Sequence, residues 1–310
     1  VRKIAIFFDG TANDEGSDTN VKRLHSLVAL QNRGDIASLY LHGVGVQLDV
    51  AGAATGSGIN ARVRIAYEFV LNHYRHAAPG QPADEIHLFG FSRGAYAARI
   101  LASMLYHAGV VRDDPASQPG RDPLVRQRSP SDIAEAVHRL VFPEAREFDT
   151  TPEPQRRSRV QQGLADLKLR ADNPLAQPPA PALPVPVPVQ VLGLWDTVEA
   201  LGAPSWPRRG AHKLGLAQLH VDVDVPNRRY GDKLCNVVQA YHALSIDDNR
   251  AWIFTPLLLG RRHQFDGCAS GDKPPMLDAR GHLLPGRLQE VWFAGAHSDV
   301  GGGYQESGLN

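Results

Sequence analysis

A serine between two glycines is the first feature of this sequence that could do chemistry. The pentapeptide Gly90-Phe91-Ser92-Arg93-Gly94 follows an apolar run and precedes a stretch rich in small residues and helix formers. A G-x-S-x-G pattern puts its serine on a tight turn between a strand and a helix, where bulky neighbours would clash. The pattern is short, so its interpretation depends on the strand predicted before it and the helix predicted after it. We predict that Ser92 is a nucleophile.

A serine hydroxyl needs a histidine to take its proton and an acid to orient that histidine. In α/β-hydrolases the chain order is serine, then acid, then histidine. Asp196 and His297 satisfy this order, and each lies just beyond an apolar, β-favouring run. We therefore predict a triad of Ser92, Asp196 and His297. Two simpler interpretations stay open, with Asp196 as a cap or turn residue and His297 as a structural histidine.

Acyl transfer also requires N–H donors for the oxyanion of the tetrahedral intermediate. The amide after the nucleophile belongs to Arg93, and a second donor is expected from an early strand-to-helix loop. The turn Asp9-Gly10-Thr11 follows the first apolar run of the chain. We predict that the amide of Gly10 or Thr11 is the second donor, and that Asp9 braces this loop or caps the turn.

A rival for the acid, Asp299, lies two residues after His297. The glycines that follow it predict a turn in which its carboxylate binds backbone amides near the histidine. We expect a supporting role for Asp299. An alternative hypothesis is a metal-dependent phosphoesterase, which would use Asp9, Asp196 and Asp299.

Two competing motifs are weaker. The run Ile6-Phe7-Phe8-Asp9-Gly10-Thr11 is similar to the D-x-D-G-T strand end of haloacid-dehalogenase-type phosphatases, but Phe7 stands where their nucleophilic aspartate would be. Gly56-Ser57-Gly58-Ile59-Asn60-Ala61 matches a nucleotide-binding G-x-G-x-x-A, yet no strand ends at it and no G-K-[ST] follows. We predict neither a cofactor nor a metal ion.

Strand and helix patterns alternate along the chain and must position these residues. Apolar runs predict strands at residues 4–8, 38–42, 85–90, 189–195 and 290–294, with a short one near 252–255. Periodic or helix-forming stretches predict helices at 60–76, after Ser92, at 131–140 and at 232–244. This alternation predicts an α/β-hydrolase fold, a mostly parallel sheet flanked by helices.

The chain of 310 residues, 43% of them apolar, is long enough for one large core. We expect a single α/β-hydrolase domain over 1–310, truncated at its C-terminus. Residues 113–188 are charged and then rich in proline, which predicts an inserted cap, lid or surface excursion rather than part of the sheet.

The charge balance argues against nucleic acid as a partner, since 33 basic residues equal 33 acidic ones. Neither a membrane-spanning run nor a signal peptide is recognisable, so we expect a chain made in the cytoplasm. Cys235 and Cys268 could pair or could both be free. We expect ordinary buried or half-exposed thiols.

Motifs across nearly the whole chain resemble a bacterial and fungal α/β-hydrolase family, long of unknown function, that includes the type VI secretion lipase effectors of family one. The motifs are Phe7-Phe8-Asp9-Gly10-Thr11, Thr19-Asn20-Val21, Gly43-Val44-Gly45, Gly90-Phe91-Ser92-Arg93-Gly94-Ala95 with Ala98-Arg99, Leu194-Trp195-Asp196-Thr197-Val198, His242-Ala243-Leu244 with Asp247 and Arg250, and Ala296-His297-Ser298-Asp299-Val300-Gly301-Gly302-Gly303-Tyr304.

This resemblance implies the same nucleophile, acid and base, namely Ser92, Asp196 and His297. It also implies phospholipase A-type activity, secretion by a type VI apparatus into the target-cell periplasm, and an immunity protein in the producing cell. Our leading hypothesis is a serine ester hydrolase acting on a phospholipid or other acyl ester, with peripheral membrane contact. The alternatives are a non-catalytic binding module on the same fold and the metal-dependent phosphoesterase.

Overall fold

The computed structural model describes residues 1–10, 17–43, 57–113, 128–142, 153–171, 185–198, 233–247, 258–259, 268, 276–278, 280 and 282–303. Thr11, Gly56 and the strand predicted near 252–255 lie outside these ranges. The strands that the structure describes are β1 Lys3–Phe8, β2 Ile36–Leu41, β3 Glu85–Phe91, β4 Val111–Asp113, β5 Leu169–Ala171, β6 Val189–Trp195, β7 Val237–Ser245 and β8 Leu288–Phe293.

Six of these strands form one sheet in the order β2-β1-β3-β6-β7-β8. Every neighbouring pair is parallel. All six carboxyl ends therefore meet along one edge, which is where open parallel sheets place their sites. The strands predicted at 4–8, 38–42, 85–90, 189–195 and 290–294 are confirmed within a few residues, and so is the α/β-hydrolase fold.

The described helices are α1 Asn20–Leu30, α2 Ser57–His73, α3 Arg93–His107, α4 Pro130–Val141, α5 Glu153–Asp166 and the short α6 His297–Gly301. Local signals explain where several of them begin. The Thr19 side chain accepts a hydrogen bond from the amide of Lys22 at the start of α1, and Ser129 and Asp132 form a capping box at the start of α4.

The core lies on both faces of the sheet. Ile4, Ile6 and Phe8 of β1 belong to the larger buried cluster, together with α2 and α3, while Ala5 and Phe7 belong to a smaller cluster beside α1. This alternation is the two-residue period of a strand. Every residue of α3 is buried, and its small residues allow the close packing that this position requires.

The helix predicted at 232–244 is wrong, because this stretch contains β7, paired between β6 and β8. Apolar residues at Leu234, Val237, Ala240 and Leu244 fit a helical face as well as a strand buried between neighbours. Periodicity cannot separate the two in so short a run, and the hydrogen bonds of the flanking strands decide it.

The predicted excursion at 113–188 contributes no strand to the six-stranded sheet among its described residues, and its strand β5 pairs with β4 in a separate two-stranded antiparallel sheet. Val137 of α4 and Val160 of α5 are fully buried and belong to the larger core cluster. These two helices therefore pack on the main domain. A role as cap or lid stays a prediction.

The expectation of free thiols is also wrong, since Cys235 and Cys268 form a disulfide. They are 33 residues apart in sequence, but the fold brings their Cα atoms to 5.8 Å, a separation that a disulfide spans. Among the described residues no helix is long and apolar enough to cross a membrane.

Candidate active site

The candidate nucleophile, Ser92, follows β3 directly and occupies the N-cap position of α3. Its φ of +57° lies in the region that residues with a side chain rarely adopt. Such a conformation costs about 1–3 kcal/mol and persists only where its surroundings impose it. Here the Ser92 amide donates to the carbonyl of Trp195 at 3.0 Å, which ties the turn to the end of β6.

The two flanking glycines are required by close backbone contacts. A Cβ on Gly94 would lie 2.3 Å from the carbonyl oxygen of Phe8 and 2.5 Å from that of Asp9. A Cβ on Gly90 would lie 2.6 Å from the Cα of Ala95. The end of β1 thus passes directly against the serine turn, which is the steric reason for the G-x-S-x-G spacing.

Ser92, His297 and Asp196 form a continuous chain of hydrogen bonds. Ser92 Oγ lies 2.7 Å from His297 Nε2, and His297 Nδ1 lies 2.6 Å from Asp196 Oδ2. The three residues are 2%, 5% and 1% exposed. In the tautomer that suits both contacts, Nδ1–H donates to the carboxylate and Nε2 accepts from the serine hydroxyl. The structure therefore brings the three predicted residues together.

Asp196 is held by the end of β7. Ser245 donates its amide to Oδ1 at 3.1 Å and its hydroxyl to Oδ2 at 2.6 Å, while the Asp196 amide donates to the carbonyl of Ala243 at 2.7 Å. Sequence reasoning missed Ser245, because the segment directly before it, 232–244, was assigned to a helix. The place of Ser245 at the end of β7, next to the strand that bears Asp196, is apparent only in the folded sheet.

His297 opens α6, and its ring lies 4.7 Å from the Phe91 ring, between centroids. Asp299 Oδ2 accepts the amide of Ala296 at 2.7 Å. This is the backbone-binding turn expected for Asp299, and it caps the short helix that presents the histidine. A Cβ on Gly301 would overlap the Phe91 ring at 1.9 Å, so the glycine allows α6 to approach β3.

Asp9 is buried and accepts three hydrogen bonds. They come from the Gly10 amide at 2.7 Å, the Thr19 hydroxyl at 2.7 Å and the Tyr40 hydroxyl at 2.6 Å. Burial raises the pKa of Asp9, and the hydrogen bonds from Tyr40, Thr19 and Gly10 oppose that shift. Asp9 is thus a brace between the ends of β1, β2 and the start of α1.

The Gly10 amide, predicted as a possible second oxyanion donor, already has an acceptor in this structure. Its N–H donates to the neighbouring Asp9 carboxylate, so in this conformation it is occupied by a strong acceptor. Thr11 lies outside the described residues. The Arg93 amide is the first of α3, and such amides have no acceptor within their own helix. Burial, and to a lesser degree the charge of Arg62, lowers the pKa of the Arg93 guanidinium to about 10.

The start of α1 connects the Asp9 turn to the helix that bears His297. Thr19, which binds Asp9, also forms a β-bridge with Gly302. Asn20 Nδ2 donates to the carbonyl of Val300 at 2.9 Å. Sequence reasoning assigned no role to Thr19 or Asn20. No local pattern shows that a segment near the N-terminus reaches the C-terminal glycines.

The carboxylates of the metal alternative do not converge. Asp9 is bound to Thr19 and Tyr40, Asp196 to Ser245 and His297, and Asp299 to the Ala296 amide. Within the part of the chain that the structure describes, no group of three or more His, Cys, Asp or Glu side chains could hold a metal ion.

The chain matches a family model over nearly its whole length. A family model described as the T6SS phospholipase effector Tle1-like catalytic domain matches residues 2–310. An uncharacterized protein of Saccharomyces cerevisiae is 29% identical over 129 residues, which cover 36% of this chain and 18% of that protein.

Three solved structures are distantly similar. An uncharacterized Pseudomonas aeruginosa protein has a TM-score of 0.46 and 19% identity, and the match covers 98% of this chain and 42% of that one. A Tle1 effector bound to the VgrG spike has a TM-score of 0.37 and 16% identity, and the match covers 99% of this chain and 52% of that one. A thermophilic esterase of Thermogutta terrifontis has a TM-score of 0.36 and 14% identity, and the match covers 99% of this chain and 76% of that one. The chain spans less than half the length of the yeast and Pseudomonas proteins.

Proposed function

The chain belongs to the family of Tle1-like phospholipase effector catalytic domains of type VI secretion, and on that premise we propose that it is a serine ester hydrolase. Its substrate is a phospholipid or another acyl ester, and its intermediate is an acyl-enzyme at Ser92. The observation that carries the proposal is the hydrogen-bonded chain from Ser92 Oγ through His297 to Asp196, at 2.7 and 2.6 Å.

The geometry supports the following mechanism. Ser92 Oγ attacks the ester carbonyl carbon while its proton passes to His297 Nε2, and Asp196 stabilises the imidazolium that forms. When the tetrahedral intermediate collapses, the bond to the alcohol breaks and His297 returns the proton to the leaving oxygen. Water then attacks the acyl-Ser92 ester, with His297 again as base; the bond to Ser92 Oγ breaks, His297 returns the proton to Oγ, and the carboxylic acid is released.

Charge on the carbonyl oxygen would develop at the N-terminus of α3. The Arg93 amide is one donor in this proposal, and the helix dipole adds to it. The second donor is the Thr11 amide, or the Gly10 amide after it leaves Asp9. Removing one such donor typically costs about 100-fold or more in kcat.

Membership of this family supports a proposal for the biological setting. One solved Tle1 effector is described as bound to the VgrG spike of the type VI secretion system. We propose that a secretion-apparatus component of this kind carries the protein that contains this domain, that delivery is to the target-cell periplasm, and that an immunity protein protects the producer. Contact with the membrane surface would bring the site to its lipid.

The decisive experiment compares wild type and Ser92→Ala on a panel of phospholipids, with the released fatty acid and lysolipid identified by mass spectrometry. We expect products from wild type only, since the variant retains the fold but lacks the attacking oxygen. Turnover that survives in Ser92→Ala would exclude the acyl-enzyme.

A fluorophosphonate probe separates the remaining alternatives. A serine hydrolase becomes labelled at Ser92, whereas a binding module that keeps only the fold does not. Activity that a chelator abolishes, in protein that the probe does not label, would instead support the metal-dependent phosphoesterase.

A further inference from the structure

A second hydrogen-bond chain, centred on the buried His242, runs beside the candidate triad. His242 of β7 lies opposite Glu290 of β8 in the register of the sheet. Its Nδ1 is 3.1 Å from Glu290 Oε1, and its Nε2 accepts the amide of Thr197 at 3.1 Å. Glu290 Oε1 also accepts the amide of Leu259 at 2.7 Å. None of these contacts belongs to the mechanism above.

The backbone amide of Thr197 fixes which nitrogen of His242 carries the proton. A backbone amide can only donate, so His242 Nε2 must be the unprotonated nitrogen, and Nδ1–H must donate to Glu290. Burial lowers the pKa of His242, and Arg99 on α3 acts in the same direction, while Glu290 and Asp196 oppose it. The imidazole is therefore neutral and is held as an acceptor.

His242 Nε2 binds the backbone directly beside the acid, Asp196. Thr197 directly follows Asp196, whose φ of +40° is unusual for a residue with a side chain. Thr197 is fully buried. A buried amide that loses its acceptor is destabilised, so without His242 the turn would relax toward another conformation. Any such movement would displace the Asp196 carboxylate from His297.

We infer that His242, oriented by Glu290, is a positioning residue that holds the turn of Asp196 and so aligns the acid with His297. The inference rests on the proposed function for its catalytic consequence. The alignment itself does not depend on that function, since it concerns only the contact between Asp196 and His297.

The test compares three variants. His242→Leu removes the acceptor at similar volume, and His242→Gln keeps an oxygen that can accept from the Thr197 amide. His107→Leu is the matched control, because His107 is equally buried but lies in the last turn of α3, about 20 Å along the helix from Ser92.

Kinetics on an activated ester give the first readout. We expect kcat of His242→Leu to fall about 10- to 100-fold, the range typical of groups that orient reactive residues, with KM within about twofold. His242→Gln should recover most of the loss. His107→Leu should lose thermal stability without losing kcat. A His242→Leu enzyme with wild-type kcat would overturn the inference.

Proton NMR gives the second readout, independent of turnover. The Nδ1–H of His297 in its short bond to Asp196 should give a low-field resonance, identified by its loss in His297→Gln. We expect His242→Leu to weaken or shift it. If His242→Leu does not fold, Glu290→Ala releases the imidazole and replaces it in both measurements.

The two readouts distinguish the two proposals. An inactive wild type whose resonance is lost in His242→Leu would refute the ester hydrolase and retain the positioning role. An active wild type whose resonance and kcat are unchanged in His242→Leu would retain the ester hydrolase and refute the positioning role.

Discussion

Ser245 donates two hydrogen bonds to Asp196, one to each carboxylate oxygen, and its hydroxyl shares Oδ2 with His297. The hydroxyl holds Asp196 as an acceptor and limits its rotation. Replacing Ser245 by Ala removes that bond and leaves the amide bond to Oδ1. We expect kcat to fall about tenfold, the effect of losing one hydrogen bond to a charged group. Steady-state kinetics measure it, and unchanged kcat would mean that the amide alone orients the acid.

The contact between Gly94 and the end of β1 predicts a steric defect. In Gly94→Ala the new methyl would meet the Phe8 carbonyl oxygen at 2.3 Å, and backbone cannot move aside cheaply. We expect the free energy of unfolding to fall by about 2 kcal/mol or more, with loss of fluorophosphonate labelling. Gly34→Ala is the control, because nothing lies within 4 Å of its Cβ. Chemical denaturation of both variants checks the prediction, which fails if the two behave alike.

The positive φ of Ser92 predicts that two inactive variants differ in stability. Ser92→Ala and Ser92→Gly both lose the hydroxyl that bonds His297, but only glycine adopts φ +57° without strain. We expect the glycine variant to be more stable than the alanine variant by about 1 kcal/mol. Thermal unfolding of the pair measures the difference. An alanine variant that is equally stable or more stable would show that the turn holds no strain.

His138 of α4 predicts a loss of stability in acid. Burial, with Arg64 and Arg139 nearby, lowers its pKa to about 4. The folded protein therefore favours the neutral ring, while the unfolded chain binds a proton near pH 6.5. This contribution is complete above pH 6.5 and declines as the pH falls toward 4, by up to about 3 kcal/mol.

Denaturation curves between pH 7 and 4.5 test this contribution. His138→Gln should lose less stability over that interval than wild type. His282→Gln, at an exposed histidine, should follow wild type. Parallel curves for all three proteins would show that His138 does not titrate in this way.

The sequence by itself determined the fold class and the three residues of the candidate triad. In a parallel sheet the carboxyl ends of all strands lie along one edge, so residues just past β3, β6 and β8 are expected on the same edge. Ser92, Asp196 and His297 are such residues. Buried strands bounded by glycine and aspartate can be read from local pattern alone.

Only the tertiary structure decided what surrounds that triad. Whether residues 237–245 form a strand or a helix depends on the neighbours that pair with them, and the contacts of Ser245 and His242 become apparent only in the strand. The disulfide of Cys235 with Cys268 and the bond that occupies the Gly10 amide likewise depend on geometry. The physical reason is common to all of these: each contact joins groups whose separation and direction are set by folding, and no local spacing encodes them.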